Sequence, residues 1–289
     1  MKVALLGIGL MGLPMGQRLC QAGHTVRAWN RTPAKAQALV EFGATAHASA
    51  AAAASGADLV LTMLENGDVV EQVLFDHGTA AALAPGAMVL DMSSIQPAQA
   101  RAHAARLAPL QVAYLDAPVS GGTLGAQAGS LAIMVGGSAA DFERALPLLG
   151  ALGRATHVGP TGAGQLAKLA NQMIVGITIG AVAEALLLCE KGGASMARVK
   201  EAISGGFADS RILQVHGQRM VERDFAPRGR MTVQLKDLRN ALATAQEIGF
   251  TAPITQLFEQ LYAQGVEDGL ANLDHAGLFV ELARRNGMV

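Results

Sequence analysis

Apolar positions along the chain fall into two regimes. In the first half, short apolar runs alternate with stretches whose apolar positions recur every three or four residues, the pattern of buried parallel strands separated by helices. Lys2 to Leu6, Thr25 to Trp29, Asp58 to Leu64, Ala87 to Met92, Val112 to Ala117, Leu131 to Val135 and Ala155 to Val158 read as strands. Leu13 to Ala22, Pro33 to Phe42, Ala98 to Leu107 and Ala139 to Leu149 read as helices, and the Ala-rich segment Ala46 to Ala57 as a plain small-residue helix without assigned function. Beyond Gly193 the strand pattern stops. Met196 to Ser204, Ser210 to Val221, Thr232 to Ile248, Ile254 to Glu267 and His275 to Arg285 read as helices separated by glycine or proline. The expected fold is an α/β Rossmann-type doubly wound domain over residues 1–161 followed by an all-α domain over residues 162–289.

A single long helix, Gly162 to Lys191, is expected to join the two. The run contains no proline, is rich in Ala and Leu, and is stopped by Gly192-Gly193. A helix of about 28 residues at about 1.5 Å per residue spans about 40 Å. From Met173 to Cys189 only Thr178 and Glu184 are strongly polar, so this helix is expected to be covered on nearly all sides, between two domains or two subunits. A membrane span competes with that reading, but Glu184 interrupts the run and no interfacial anchor flanks it. The first turns differ: Gln165, Lys168, Asn171 and Gln172 share one face at spacings of three and four. A lysine at the head of a buried helix either snorkels to solvent from a frayed end or has chemistry to do.

Composition narrows the classes. The sequence is 51% hydrophobic, enough for a substantial core, and its net charge of -1 offers no basic field for nucleic acid or acidic membranes. The two cysteines, Cys20 and Cys189, lie in different halves, so a reducing compartment is expected rather than a disulfide framework. The start superficially resembles a signal peptide, but glycines at 7, 9, 12 and 16 followed at once by strand and helix patterns argue against one, and a cytoplasmic protein is expected. The seven histidines are scattered without ligand spacing, and no metal site is expected.

Gly7-Ile-Gly-Leu-Met-Gly12 sits between the first strand and the first helix. In that setting Gly7 allows the tight turn, Gly9 lets a pyrophosphate approach the backbone, and Gly12 lets the helix pack on the strand. The amides around Leu10 and Met11, at the positive end of the helix, suit phosphate. The tip of the second strand decides the dinucleotide. It carries Asn30-Arg31-Thr32 in place of the acidic residue that would hold the ribose of NAD, so NADPH is expected, with NADH possible. Met63-Leu64 should border the adenosine side of the same rim, and Ser93-Ser94 either caps the helix after it or lines that rim. In Pro118-Val-Ser-Gly-Gly122, the Ser120 hydroxyl with the amides of Gly121 and Gly122 can hold a carboxylate, or the segment is only a turn.

Together GxGxxG at 7–12, Asp116-Ala-Pro-Val-Ser-Gly-Gly122, Gly162-Ala-Gly with Lys168 and Asn171, and Lys236-Asp237-Leu238 resemble the β-hydroxyacid dehydrogenases over essentially the whole chain. Asp91-Met-Ser-Ser-Ile, Lys168-Leu-Ala-Asn-Gln172 and Asp274-His275 look most like the branch that reduces tartronate semialdehyde, while Asn30-Arg31-Thr32 looks more like the NADPH-using glyoxylate and succinic semialdehyde reductases. The resemblance implies a small carboxylate-bearing aldehyde as substrate. It implies Lys168 as general acid, Asn171 or Gln172 orienting lysine or substrate, and Ser120, Gly121 and Gly122 holding the carboxylate. It also implies Lys236 beside cofactor and substrate with Asp237 holding it, while the long apolar helix itself points to a homodimer or homotetramer. Imine reductases share the architecture but generally lack the lysine, and a non-catalytic dinucleotide sensor would show degraded motifs.

Overall fold

In the computed structural model the chain alternates strand and helix as its apolar runs require, and residues 1–288 are described. The first unit, Met1–Lys168, contains β1 (Lys2–Leu6), α1 (Gly12–Gln21), β2 (Thr25–Trp29), α2 (Pro33–Gln37), β3 (Thr45–Ala46) and α3 (Ala50–Ala54). It continues with β4 (Leu59–Thr62), α4 (Gly67–Glu71), β5 (Met88–Asp91), α5 (Pro97–Leu107), β6 (Ala113–Asp116), β7 (Val119–Ser120), α6 (Gly122–Ala128), β8 (Leu131–Gly136), α7 (Ala139–Leu152) and β9 (Gly153–Gly159). The sheet runs β3-β2-β1-β4-β5-β6-β8-β7, with β9 on β8. From β3 to β6 all pairs are parallel, and β8 lies antiparallel to β6 and β7. Order 3-2-1-4-5-6 is the doubly wound arrangement, and its switch point lies between β1 and β4, beside Gly7.

The central strands β4 and β5 are buried at every position, because helices cover both faces of a parallel sheet. Alternate residues feed two apolar layers: Leu5, Leu61, Leu90 and Leu115 on one face, Leu6, Val60, Val89 and Tyr114 on the other.

Two expected helices contract. Pro33 to Phe42 ends at Gln37 and resumes as a 3-10 turn, Val40–Phe42. Within Ala46 to Ala57 only Ala50–Ala54 is helical, because Thr45–Ala46 instead pairs with β2 and Ser49 caps the helix by accepting from the Ala52 amide. Helices α4 and α6 were not expected.

Helix α8 (Ala163–Lys191) runs through the division between the units and continues into the second, Leu169–Val289. There it is followed by α9 (Met196–Ile203), α10 (Gln218–Glu222), α11 (Met231–Glu247), α12 (Pro253–Gly265) and α13 (Leu278–Arg285). Ile179, Ala183 and Leu186 of α8 form the core of this unit with Met231, Leu238, Tyr262 and Phe279. Gly176 and Gly180, one turn apart, let Gln234 of α11 and Phe258 of α12 reach the α8 backbone. By length and composition α8 could cross a membrane, with a mean hydropathy of 1.9. One side of it packs against α11 and α12.

Within the single chain, α8 is covered on only some of its sides. Ile174 and Leu188 are 65% and 73% exposed, and Ala170, Ala181 and Ala185 lie on the same exposed strip. Apolar composition all round a helix shows that each side can be covered, but the intrachain partners cover only part of it.

Candidate active site

The glycine turn has the geometry that its spacing implied. Gly7 sits at φ +106°, where a side chain is strained, and a Cβ there would strike the Met63 carbonyl. A Cβ on Gly12 would strike the Gly7 carbonyl, so this glycine serves the turn itself. Contact with the strand falls to Gly16, whose Cβ would lie 2.9 Å from a Leu5 methyl. Gly9 faces open space and, like Leu10, is exposed, which leaves room for a phosphate above the start of α1, where Met11 is half-buried. These residues fit a dinucleotide. Asn30 engages both ends of its amide within the protein, accepting from the Ile8 amide at 2.9 Å and donating to the Thr32 carbonyl at 3.1 Å. It therefore ties the glycine turn to the tip of β2, and leaves Arg31 and Thr32 as exposed groups there.

The C-terminal ends of β4, β5 and β6 each finish an apolar strand with a fully buried polar residue. Thr62, Asp91 and Asp116 stand side by side in register. Asp91 accepts from the Thr62 hydroxyl at 2.7 Å, the Ser93 amide at 3.0 Å and the Tyr114 hydroxyl at 3.0 Å. Burial pushes the Asp91 carboxyl up, against those hydrogen bonds, and pushes the Tyr114 phenol well up. Ser93 does not cap α5. That helix is capped by Gln96 and Gln99, and the Ser93 hydroxyl accepts from the Leu64 amide at 3.0 Å. The rim residues Met63, Leu64 and Ser94 are half-buried beside it.

Asp116 reaches the head of α8. Its Oδ1 accepts from the Gly162 amide and its Oδ2 from the Gln165 amide, both at 2.8 Å. The first amides of a helix have no intrahelical partner, and a carboxylate there also meets the positive end of the dipole. Residue 162 cannot supply its own cap: it sits at φ +92°, packed near the Pro97 carbonyl and the Arg101 guanidinium, and only glycine fits. Burial lifts the Asp116 carboxyl to about 6, against the pull of the Gly162 and Gln165 amides. One turn beyond Gln165, Lys168 is half-buried. Sequence reasoning gave Thr62, Asp91 and Asp116 no role of their own, and Ser93 only that of a cap or rim residue. The available signal was one polar residue closing each of three successive apolar strands.

Ser120 is half-buried at the end of β7, and Gly121 and Gly122 are exposed at φ +135° and +63°, turning their backbone into α6. In the second unit, Asn171 donates to Gln172 Oε1 at 2.8 Å, and Gln172 Nε2 donates to Asp237 at 2.7 Å. Buried Asp237 also holds Lys236, with Nζ at 3.2 Å. Gln172 is thus engaged at both ends of its amide.

Among the described residues His216, Asp274 and His275 bring ligand atoms within 4.8 Å of one another, a cluster that sequence spacing did not show. Asp274 is already saturated: Arg219 donates at 2.9 Å, and the amides of Arg228, Gly229 and Ala276 donate at 3.1 to 3.2 Å. Burial pushes this carboxyl up, but hydrogen bonding from His216 and the neighbouring His275, Ala276 amide and Arg219 outweigh it and hold it well below the usual range. The cluster is a structural knot that fixes the segment entering α11.

Known proteins share this build. A family model described as the NAD binding domain of 6-phosphogluconate dehydrogenase matches residues 2–160, and one described as NAD-binding of NADP-dependent 3-hydroxyisobutyrate dehydrogenase matches residues 162–282. The chain is 42% identical to 2-hydroxy-3-oxopropionate reductase of Escherichia coli K12, covering 96% of each chain. It is 37% identical to 3-hydroxyisobutyrate dehydrogenase of Pseudomonas aeruginosa, over 96% of this chain and 95% of the other. The structure of Mycobacterium tuberculosis 3-hydroxyisobutyrate dehydrogenase with L-serine superposes with a TM-score of 0.90 at 34% identity, covering 97% and 98% of the two chains. Fold and motifs define an NAD(P)-dependent oxidoreductase acting on CH–OH groups. The chain belongs to the 3-hydroxyisobutyrate dehydrogenase-like family of β-hydroxyacid dehydrogenases.

Proposed function

We propose that this protein reduces tartronate semialdehyde, 2-hydroxy-3-oxopropionate, to glycerate with NADPH. The observation that carries the reading is the full-length similarity to the Escherichia coli enzyme named for that substrate. When bound, the nicotinamide supplies hydride to the aldehyde carbon. Lys168 Nζ gives a proton to the carbonyl oxygen as negative charge develops on it, and is reprotonated from solvent, so each turnover consumes one proton. The Ser120 hydroxyl with the Gly121 and Gly122 amides holds the substrate carboxylate and so fixes the aldehyde in place. Asn171 rather than Gln172 orients lysine or substrate hydroxyl, because Gln172 is committed to Asn171 and Asp237. Lys236, held by Asp237, serves an anionic group of cofactor or substrate.

The test is NADPH oxidation with tartronate semialdehyde, glyoxylate, succinic semialdehyde and methylmalonate semialdehyde, each repeated with NADH. Tartronate semialdehyde is expected to give the highest kcat/KM. A tenfold preference for another aldehyde removes the substrate assignment, and inertness toward all four removes the reductase reading. Arg31→Ala is expected to raise the KM for NADPH roughly 10- to 100-fold, about 1.5 to 3 kcal/mol for a hydrogen bond to a charged group, while leaving NADH nearly unchanged. An equal effect on both cofactors would remove Arg31 from the 2′-phosphate.

A homodimer or homotetramer in the cytoplasm accompanies this reading. The exposed apolar strip from Ile174 to Leu188 supports a partner copy. Sedimentation velocity of the purified chain checks it, and a single-chain mass counts against it.

A further inference from the structure

Gln165 is fully buried at 0% exposure, and its hydrogen bonds run to the segment after β5 and to Asp116. Every polar group it owns at the head of α8 is tied elsewhere. Its Oε1 accepts from the Ile95 amide at 3.1 Å, its Nε2 donates to the Ser93 carbonyl at 2.8 Å, and its own amide is held by Asp116 at 2.8 Å. Ser93 in turn binds the Leu64 amide and Asp91. One side chain therefore fastens the start of α8 to the loops leaving β4 and β5, which carry Met63, Leu64 and Ser94. Lys168 follows three residues later on the same face of the helix.

We infer that Gln165 is a positioning residue: by pinning the Ser93–Ile95 backbone while Asp116 pins its amide, it holds Lys168 in register with the cofactor rim. The inference rests on the reading of Lys168 as proton donor. A helix end fixed by one cap can slide or twist, and an ångström of misplacement costs a positioned catalyst heavily. Two carboxylate hydrogen bonds and two amide hydrogen bonds from separate strands remove that freedom. The glycines at 136 and 164 serve the same end, since a Cβ on Gly136 would lie 2.6 Å from Asp116 Oδ1 and 2.7 Å from the Gly164 amide.

The test is a double-mutant cycle of Gln165→Met, which keeps the shape and loses both side-chain hydrogen bonds, with Lys168→Ala, read as kcat and aldehyde KM. In the parent, Gln165→Met is expected to lower kcat roughly tenfold with KM changed less than about threefold. In the Lys168→Ala background the same change is expected to leave kcat within about twofold, because there is no longer a lysine to misplace. Gln165→Glu keeps the bond from Ile95 but sets a second acceptor against the Ser93 carbonyl, and is expected to lower kcat at least as far as Gln165→Met. The inference is overturned if Gln165→Met leaves the parent kcat within twofold, or lowers it by the same factor in both backgrounds. An active Lys168→Ala enzyme overturns the lysine reading itself and is recognised in that arm alone. If Gln165→Met does not purify folded, Gln165→Glu and Asp116→Asn are read in the same cycle against the same limits.

Discussion

Lys168→Ala is expected to lower kcat for the preferred aldehyde by 100-fold or more, the range of a positioned general acid, with NADPH binding unchanged. The lysine lies outside the glycine turn and the Asn30-Arg31-Thr32 tip, so titration of the variant with NADPH should give the parent's Kd. Because the ammonium stabilises an alkoxide that exists only as hydride arrives, kcat and kcat/KM should fall together and KM should move little. Lys168→Arg is expected to restore little: a guanidinium keeps the charge but does not release a proton near neutral pH, and its planar fork is a different shape from a compact ammonium. A Lys168→Ala kcat within threefold of the parent would assign the proton to another donor. The snorkelling alternative, in which Lys168 only reaches solvent from a frayed end, predicts that result. The helix head is capped by Asp116 and buried through Gln165, which is the opposite of a frayed end.

The parts of this molecule legible in the sequence are those set by local physics. The glycine turn could be read because Gly7 needs a positive φ and Gly12 a close approach, both demands on single residues. The parallel strands could be read because burial on both faces makes Leu59–Thr62 and Met88–Asp91 continuous apolar runs. Propensity misled where tertiary pairing competed with it. Ala46 to Ala57 is a strong helix former by composition, yet Thr45–Ala46 pairs with Arg27–Ala28 and only five residues remain helical. Pro118 to Gly122 read as a turn because Val119 finds its strand partner at Ile133, and α6 begins only where Gly121 and Gly122 turn the backbone. The site divides in the same way. Lys168, Asn171 and the Ser-Gly-Gly segment carry motif chemistry. The residues fixing the helix head, Asp116 above all, act on partners 46 and 49 residues away, so a polar residue closing an apolar strand marks them locally without showing what they hold.

That long-range lock also makes Gly164→Ala a sharp probe of stability. A Cβ on Gly164 would strike the carbonyl of Asp116, and would lie 2.5 Å from the Met134 carbonyl and 2.8 Å from the Gly136 amide. All three neighbours are backbone of β6 and β8, and neither strand can retreat without breaking the Asp116–Gly136 pair. The three nearest atoms are thus all main-chain atoms held in the sheet, not the far ends of flexible side chains. Overpacking in a rigid site costs about 1 to 3 kcal/mol, and the absence of a yielding atom among these three puts this case at the upper end, about 3 kcal/mol. Alanine is also the better helix former by about 1 kcal/mol, so the strain must exceed that gain for the variant to lose stability at all. The net loss is then about 2 kcal/mol, and for a unit of this size each kcal/mol is about 2 to 4 °C, so thermal unfolding should show Tm lower by about 4 to 8 °C. Gly150→Ala is the control, because a Cβ on Gly150 in α7 meets nothing within 4 Å and should leave Tm unchanged or slightly raised. If Gly164→Ala melts with the parent, α8 can shift away from β6 and β8 at little cost. The hydrogen bonds from Asp116 to Gly162 and Gln165 would then not hold the helix rigidly enough to position Lys168.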